Sequence, residues 1–282
     1  MTSHPTVPAP PSHREIASGI WWIQELGPER PGVSRTIAER GDPWYAAAPR
    51  APLHIPQNAY LLVGDRTLLF DTLSPAATGH ILSELGTLLG GRPLDYLVVS
   101  HPDVPHAGNT HAILRAHEGA RLVAPRYGDT HALYHLGDCQ LVGEGDEIDL
   151  GGGLVAQFHE ATFLDAALSV WMSERSSGCL FPVDWLGAPI RPTEAVRFAD
   201  ELEGGFVESD RYYEFHARVM FWFQYVDTAR VATEIERLWQ RHRPRMLAPS
   251  HGPVVRSDTE SVFRAMPEVV RRIRETGRTG VL

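Results

Sequence analysis

The sequence predicts a mixed α/β chain: two β-sheets packed face to face, with helices on their outer sides. Three observations predict it. A hairpin pattern over residues 58–72 is followed by alternating helix-like and strand-like segments to about residue 124. Residues 140–184 then read as continuous β-structure, with turns at Gly143-Glu144-Gly145, Gly151-Gly152-Gly153 and Ser176-Ser177-Gly178. The chain closes in a helix, strand, helix order over residues 210–276, with no repeat at a fixed period.

Residues 1–17 are rich in Pro and Ser and read as a flexible arm, leaving 18–282 as one domain. Residues 20–26, with Trp21-Trp22, read as a strand. A Pro- and Arg-rich loop over 27–56 is long for a compact domain, and such loops often wall a pocket. The hairpin pairs Tyr60-Leu61-Leu62-Val63 with Leu68-Leu69-Phe70 across Gly64-Asp65. Helical periodicity over 76–89 stops at Gly90-Gly91. Strand 94–99, helix 109–117, strand 121–124 and a short helix over 126–135 follow. After the β-run come a long helical stretch over 210–242, a strand at 246–248 and a helix at 259–276.

At 282 residues, 43% hydrophobic and 22% charged, the composition is that of a soluble globular protein. All 26 basic residues are Arg, and the net charge of −9 argues against nucleic-acid or anionic-membrane partners. No apolar run reaches the roughly 18 residues of a membrane span, and the N-terminus lacks a signal-peptide core, so the reading is cytoplasmic. Cys139 and Cys179 are too few for a disulfide framework and lack CxxC spacing; both read as buried thiols.

The chemistry concentrates in Val99-Ser100-His101-Pro102-Asp103-Val104-Pro105-His106-Ala107-Gly108-Asn109. Two imidazoles and a carboxylate leave a strand end within six residues, and these are donors that transition metals take. Asp165, Asp184 and His251 each follow another apolar run, and Asp71 ends the hairpin. A lone Asp at a strand end is commonly a turn former or cap. An apolar strand running into His occurs twice, however, and donors brought to one rim from several strand ends are how α/β folds build sites.

These residues, with Asn58-Ala59-Tyr60-Leu61-Leu62, Leu69-Phe70-Asp71-Thr72, Leu180-Phe181-Pro182-Val183-Asp184 and Ala248-Pro249-Ser250-His251-Gly252-Pro253, resemble the metallo-β-lactamase superfamily. Within it they resemble the diiron module of flavodiiron proteins, over about residues 20–256. The resemblance implies a four-layer αβ/βα sandwich with two metal ions between the sheets. It places His101, Asp103 and Asp165 on one ion and His106 and His251 on the other, with Asp184 bridging. The family loop reads His-x-(His/Glu/Asp)-x-Asp-His, and Pro105 stands where the second Asp belongs. Asp165 takes the register of a family His; a rival alignment makes His159 that ligand. Three carboxylates and three imidazoles suit iron or manganese better than zinc. Asp71 reads as an acceptor orienting a ligand His.

Proline offers neither a ligand nor a base, so metal-assisted hydrolysis loses both at position 105. Open coordination positions instead suit dioxygen binding. Three functions follow: a dinuclear non-haem oxidoreductase, a metal-dependent hydrolase of an ester, thioester, lactone or amide, or an oxygen- or metal-responsive binding module without catalysis. No flavodoxin-like domain follows before Leu282, so electrons would come from a separate donor or from a small-molecule substrate. The resemblance also implies a homodimer. Candidate pocket residues are His54, Tyr60, His159, Trp185 and Trp222. The aromatic stretch Tyr212-Tyr213, His216, Phe221-Trp222-Phe223 and Tyr225 reads first as core packing, with a pocket wall as the alternative.

Overall fold

The computed structural model describes residues 12–26, 53–126, 139–165, 167–202, 205–207 and 210–276. Seven strands form the larger sheet in sequential order: β1 (His13–Ala17), β2 (Ile20–Glu25), β3 (Gln57–Val63), β4 (Thr67–Phe70), β5 (Tyr96–Val98), β6 (Arg121–Pro125) and β7 (Gln140–Val142). The first four pair antiparallel, and β4 through β7 run parallel. The smaller sheet has the order β12-β11-β10-β9-β8. Its strands are β8 (Glu147–Gly151), β9 (Leu154–Glu160), β10 (Val170–Glu174), β11 (Cys179–Phe181) and β12 (Met246–Leu247).

Both faces of β3 and β4 are covered, which is why Ala59–Val63 and Leu68–Phe70 are apolar and do not alternate. Ala59, Leu61 and Leu69 point to one side, where α1 (Thr78–Leu89) packs through Ile81 and Leu85. Tyr60, Leu62, Leu68 and Phe70 point to the other, into the layer shared with Phe158, Met172 and Phe181 of the smaller sheet. Phe181 meets Tyr60 at 5.0 Å and Phe70 at 5.7 Å between ring centres. Such tilted pairs contribute about 0.5–1.5 kcal/mol each beyond their buried area. Helix α1 starts after a turn at Pro75–Ala77 and stops at Gly90, whose φ of 59° is the left-handed cap that Gly supplies. A single turn, α2 (Val104–Ala107), and α3 (Thr110–Ala116) complete the β5 to β6 crossover. The expected helix at 109–117 is therefore α3, preceded by the single helical turn α2. Helices α4 (Arg211–Val219), α5 (Thr228–His242) and α6 (Thr259–Thr276) pack together beside the smaller sheet. The result is helix, sheet, sheet, helix, the four-layer sandwich expected from the sequence.

Two expectations need correction. The helical stretch over 210–242 is not one helix. It breaks at Met220, runs as a tight 3-10 turn over Phe221–Tyr225, and restarts at Asp227, whose carboxylate caps the amides of Ala229 and Arg230. The arm assigned to 1–17 also ends too late, because His13–Ala17 pairs with β2. Residues 1–11 lie outside the described residues, as do most of the 27–56 loop and of the expected 126–135 helix.

What fixes β1 is polar and distant in sequence, so hydropathy does not reveal it. Arg14 makes a two-pronged contact with Glu201 at 2.7 and 2.9 Å. Its guanidinium lies 4.1 Å from the ring centre of Phe198, whose ring also sits 4.0 Å from the Arg256 guanidinium. Arg14→Ala removes the half-exposed ion pair and the ring contact, worth about 1–2 kcal/mol together. The expected result is a lower urea midpoint and faster proteolysis within residues 12–18, and Arg14→Lys restores little because Lys lacks the planar fork.

Candidate metal centre

The site lies where strands end. The residues after the parallel strands β4, β5, β11 and β12 turn into Asp71, His101, Asp184 and His251, and the β9–β10 loop carries Asp165. Ligand positions in open α/β sheets lie at the carboxyl ends of strands for this topological reason. The backbone is strained here: among the described residues, Asp71, Leu73, Leu168, Val183 and Leu186 are five of the eight non-Gly residues with positive φ. A β-branched residue such as Val183 (φ 56°) rarely takes that conformation, and each such residue costs on the order of 1–3 kcal/mol. The strain turns the chain sharply just before Asp184.

Asp184 is the hub. Its Oδ2 lies 3.3 Å from His101 Nε2, and its Oδ1 lies 3.3 Å from His106 Nε2 and 3.0 Å from His251 Nε2. His101 Nε2 is also 3.7 Å from Asp165 Oδ1. Donor atoms of His101, His106 and Asp184, and of His101, Asp103 and Asp165, lie within 4.8 Å of one another. Asp103 is exposed and uses one oxygen to cap Val104 at 2.7 Å. Cap and donor roles coexist because a carboxylate has two oxygens. Pro105 occupies the first turn of α2, where its missing N–H leaves no helical bond unmade.

The outward-facing nitrogens of the three imidazoles are committed. His251 Nδ1 is 2.6 Å from Pro56 O, a carbonyl that can only accept, so Nδ1 carries the proton. His106 Nδ1 donates to Asp71 Oδ2 at 2.7 Å. Ser100 Oγ gives its hydrogen to Asp71 Oδ2 (3.1 Å) and accepts from His101 Nδ1 (3.2 Å). Each Nε2 that faces Asp184 is thereby left as a lone pair pointing at a carboxylate. Among the described residues, His101 Nε2, His106 Nε2 and both Asp184 oxygens are buried without a hydrogen-bond partner. Bare lone pairs facing a buried carboxylate are stable only around a positive charge. A proton or metal ions provide it, and the donor set fits divalent metals.

The electrostatics agree. Burial pushes the Asp184 carboxyl upward, but the His106 and His101 imidazoles outweigh it and hold it well below the usual carboxylate range. Burial lowers His106, yet Asp71 and Asp184 together raise it well above the ordinary imidazole value. His101 falls to about 4 through burial and the neighbouring His106. Without metal, one proton on His106 substitutes for cationic charge.

Other sequence-predicted residues take different positions. Tyr60 is a brace and not a pocket wall, since its hydroxyl donates to Pro249 O at 2.7 Å beneath the His251 loop. His54 pairs through its backbone with Ile190 and lies in the segment that brings Pro56 to His251. His159 is not at the centre: strand alternation turns it to the outer face of the smaller sheet, 2.7 Å from Ser173 Oγ. Trp185 stacks on Trp171 at 5.2 Å, with Phe163 at 5.0 Å. Trp222 donates to Leu164 O at 2.9 Å and so fastens the loop that presents Asp165. Trp222→Phe keeps the ring and removes this bond, worth about 0.5–1.5 kcal/mol. The expected outcome is metal binding weakened by up to about tenfold, read by chelator competition, with a melting temperature lower by about 1–6 °C.

Several supporting residues escaped the sequence reading. Ser100 and Ser250 each precede a candidate ligand His, and both hydroxyls meet on Asp71 Oδ2, at 3.1 and 3.0 Å. The repeated Ser-His after an apolar strand was the available signal. Asn58 Nδ2 bonds Pro249 O at 2.7 Å and Gly252 O at 2.9 Å, clamping the His251 turn. His216, predicted as core, accepts from the Leu186 amide at 3.2 Å and donates to Tyr212 O at 2.7 Å. Burial holds it down at about 4, so it is a neutral brace for the Asp184 loop.

A family profile described as the metallo-beta-lactamase superfamily matches residues 54–217, and the chain belongs to that superfamily. It is similar to the nitric oxide reductase of Moorella thermoacetica, 28% identical over 212 residues, covering 74% of this chain and 51% of that protein. It is also similar to the rubredoxin-oxygen oxidoreductase of Megalodesulfovibrio gigas, 26% identical over 221 residues, covering 76% and 52%. The chain thus spans about half the length of these curated relatives. Among solved structures it shares its fold with the rubredoxin oxygen:oxidoreductase of Desulfovibrio gigas, at a TM-score of 0.69 and 21% identity, covering 94% of this chain and 61% of that one. A fragment of a putative diflavin flavoprotein from Nostoc gives a TM-score of 0.71 at 17% identity, covering 93% and 97%. No described helix is long and apolar enough to cross a membrane.

Proposed function

We propose that the chain is the dinuclear non-haem iron module of an oxidoreductase that reacts with dioxygen or nitric oxide, manganese being the alternative metal. The observation that carries this reading is the set of three imidazole Nε2 atoms aimed at the two oxygens of buried Asp184. His101, Asp103 and Asp165 would hold one ion, His106 and His251 the other, with Asp184 between them. When bound, the ions supply redox electrons and open coordination positions for a diatomic gas. The names of the similar proteins, a nitric oxide reductase and a rubredoxin-oxygen oxidoreductase, favour the same class.

The chain's own residues do the rest. Asp71, Ser100 and the Pro56 carbonyl fix the ring orientations, so little reorganisation is needed on loading. His106 stores a proton on Nε2 and releases it inside the site as metal enters. Phe163 and Trp185 pack tightly beside the Asp165 and Asp184 loops and keep water from that flank. Pro105 places no carboxylate near the His106 side, which removes the base a hydrolytic water would use. Electrons would come from a separate donor or from a small-molecule substrate.

Iron-loaded protein with a chemical reductant is expected to consume dioxygen or nitric oxide, and to show two irons per chain with an oxygen-sensitive absorption band. Zinc as the bound metal together with ester or lactone turnover would establish the hydrolase instead. Pro105→Asp is expected to tighten the second metal equivalent by about tenfold through one added charged donor. Unchanged stoichiometry and affinity would contradict the assignment of that position.

A further inference from the structure

We propose that a second cation site lies on the outer face of the smaller sheet, where His159, His242 and Glu144 take a borderline transition-metal dication such as Zn²⁺. A cavity of about 300 Å³ opens there between β9, β10 and the end of α5. His159 pairs across the sheet with Trp171, while its neighbour Phe158 points into the inter-sheet core. Its side chain is only 7% exposed. Ser173 Oγ, 2.7 Å from Nε2, fixes the ring, and among the described residues the buried Nδ1 has no hydrogen-bond partner. That nitrogen lies 3.7 Å from Glu144 Oε1, and the His242 ring stands 4.8 Å away at 78°.

The other charges in the cavity are already paired. Glu174 accepts from the amides and hydroxyls of Ser176 and Ser177. Arg175 bonds Glu147. Two imidazoles remain, with the Glu144 carboxylate, whose Oε2 accepts from the Glu160 amide at 3.0 Å and whose Oε1 is shared with Arg241. Burial, with Arg241 nearby, lowers His159, and burial with His159 and Arg241 brings His242 down to about 4. Both rings are therefore neutral at pH 7, the form that ligates. An N,N,O donor set with one orienting hydroxyl suits Zn²⁺, Cu²⁺ or Ni²⁺ over Ca²⁺ or Mg²⁺. The donor atoms of His159, His242 and Glu144 do not all lie within 4.8 Å of one another, so binding requires the His242 ring, on the last residue of α5, to turn toward an ion held by the other two. Arg241, bonded to Glu144 Oε1, opposes binding and sets the affinity. The site shares no residue with the Asp184 centre and stands independently of the function proposed for it.

The test titrates metal-stripped full-length protein with Zn²⁺ against a chromophoric chelator, and with Cu²⁺ while following tryptophan fluorescence. One equivalent is expected to persist in the Asp184→Asn/His101→Ala double variant. There Cu²⁺ quenches emission, because the Trp171 ring lies 6.4 Å from His242. In that background His242→Gln is expected to weaken this equivalent at least tenfold and abolish the quenching, and Arg241→Gln to tighten it severalfold. His159→Gln should act like His242→Gln; if it fails to fold, the partly exposed His242 position still decides. No surviving equivalent in the double variant, or one unaffected by His242→Gln, overturns the proposal.

Discussion

Asp71→Asn is expected to cost the metal-free protein about 3 kcal/mol, the low end for removing one partner of a buried ion pair. For a chain of this size that lowers the melting temperature by about 6–12 °C. The substitution isolates charge, because Asn tolerates the left-handed backbone (φ 65°) at least as well as Asp. One carboxylate here accepts from the Ser100 amide at 2.9 Å and, through Oδ2, from Ser100 Oγ, His106 Nδ1 and Ser250 Oγ. An amide puts a donor or a weaker acceptor against at least one of these groups. His106 then loses the contact that fixes its ring, and metal affinity is expected to fall about 10–100-fold. Thermal melts with and without metal separate the two effects; a melting temperature unchanged in the metal-free form would refute the role assigned to Asp71.

Asp184→Asn is expected to take the dinuclear centre from about two bound iron or manganese ions to fewer than one, because each of the three imidazoles faces this carboxylate. Elemental analysis after dialysis reads it. The same residue controls the pH response. His106 is raised above its ordinary value of 6.5, so its contribution to metal-free stability is complete below that pH and is lost as pH rises through the raised value. Asp184 is depressed, so its contribution is present above the ordinary carboxylate value and is lost as pH falls through its own low one. Metal binding must expel the His106 proton, and it therefore tightens as pH rises, until the raised value is passed and that proton is already gone. Calorimetry in buffers of different ionisation heat should detect proton release on loading. In Asp184→Asn the alkaline loss of metal-free stability shifts to lower pH, since His106 has lost one of its two carboxylates. Metal binding without proton release would refute this account.

Much of the fold was legible because burial on both faces leaves an unmistakable pattern. The hairpin 58–72 has no alternation, and the structure places Leu61 under α1 and Tyr60 in the inter-sheet layer. Helix α6 matches its expected bounds, because its apolar face repeats at helical spacing from Val262 through Phe263, Met266, Val269 and Val270 to Ile273. Elements held by specific polar contacts were not legible. β1 depends on Arg14 meeting Glu201 and Phe198, more than 180 residues away. The break at Met220 depends on the Asp227 cap and on aromatic packing, and helical propensity does not reveal it. At the site, residue type and strand-end position brought His101, His106, Asp184 and His251 to attention. The same criteria could not separate Asp165 from His159, since that choice turns on which face of β9 carries His159 and on where the β9–β10 loop brings Asp165.

By itself, the sequence determined the donor chemistry, the strand ends that carry it and the absence of a carboxylate at Pro105. These are properties of residue type and local spacing, which no folding step changes. Only the tertiary structure decided that Ser100 and Ser250 share Asp71, that Pro56 orients His251 and that His159 turns away toward His242. The physical reason is that hydrogen bonds are short and directional. Their partners come from segments tens to nearly two hundred residues apart, and their geometry exists only once the two sheets have packed.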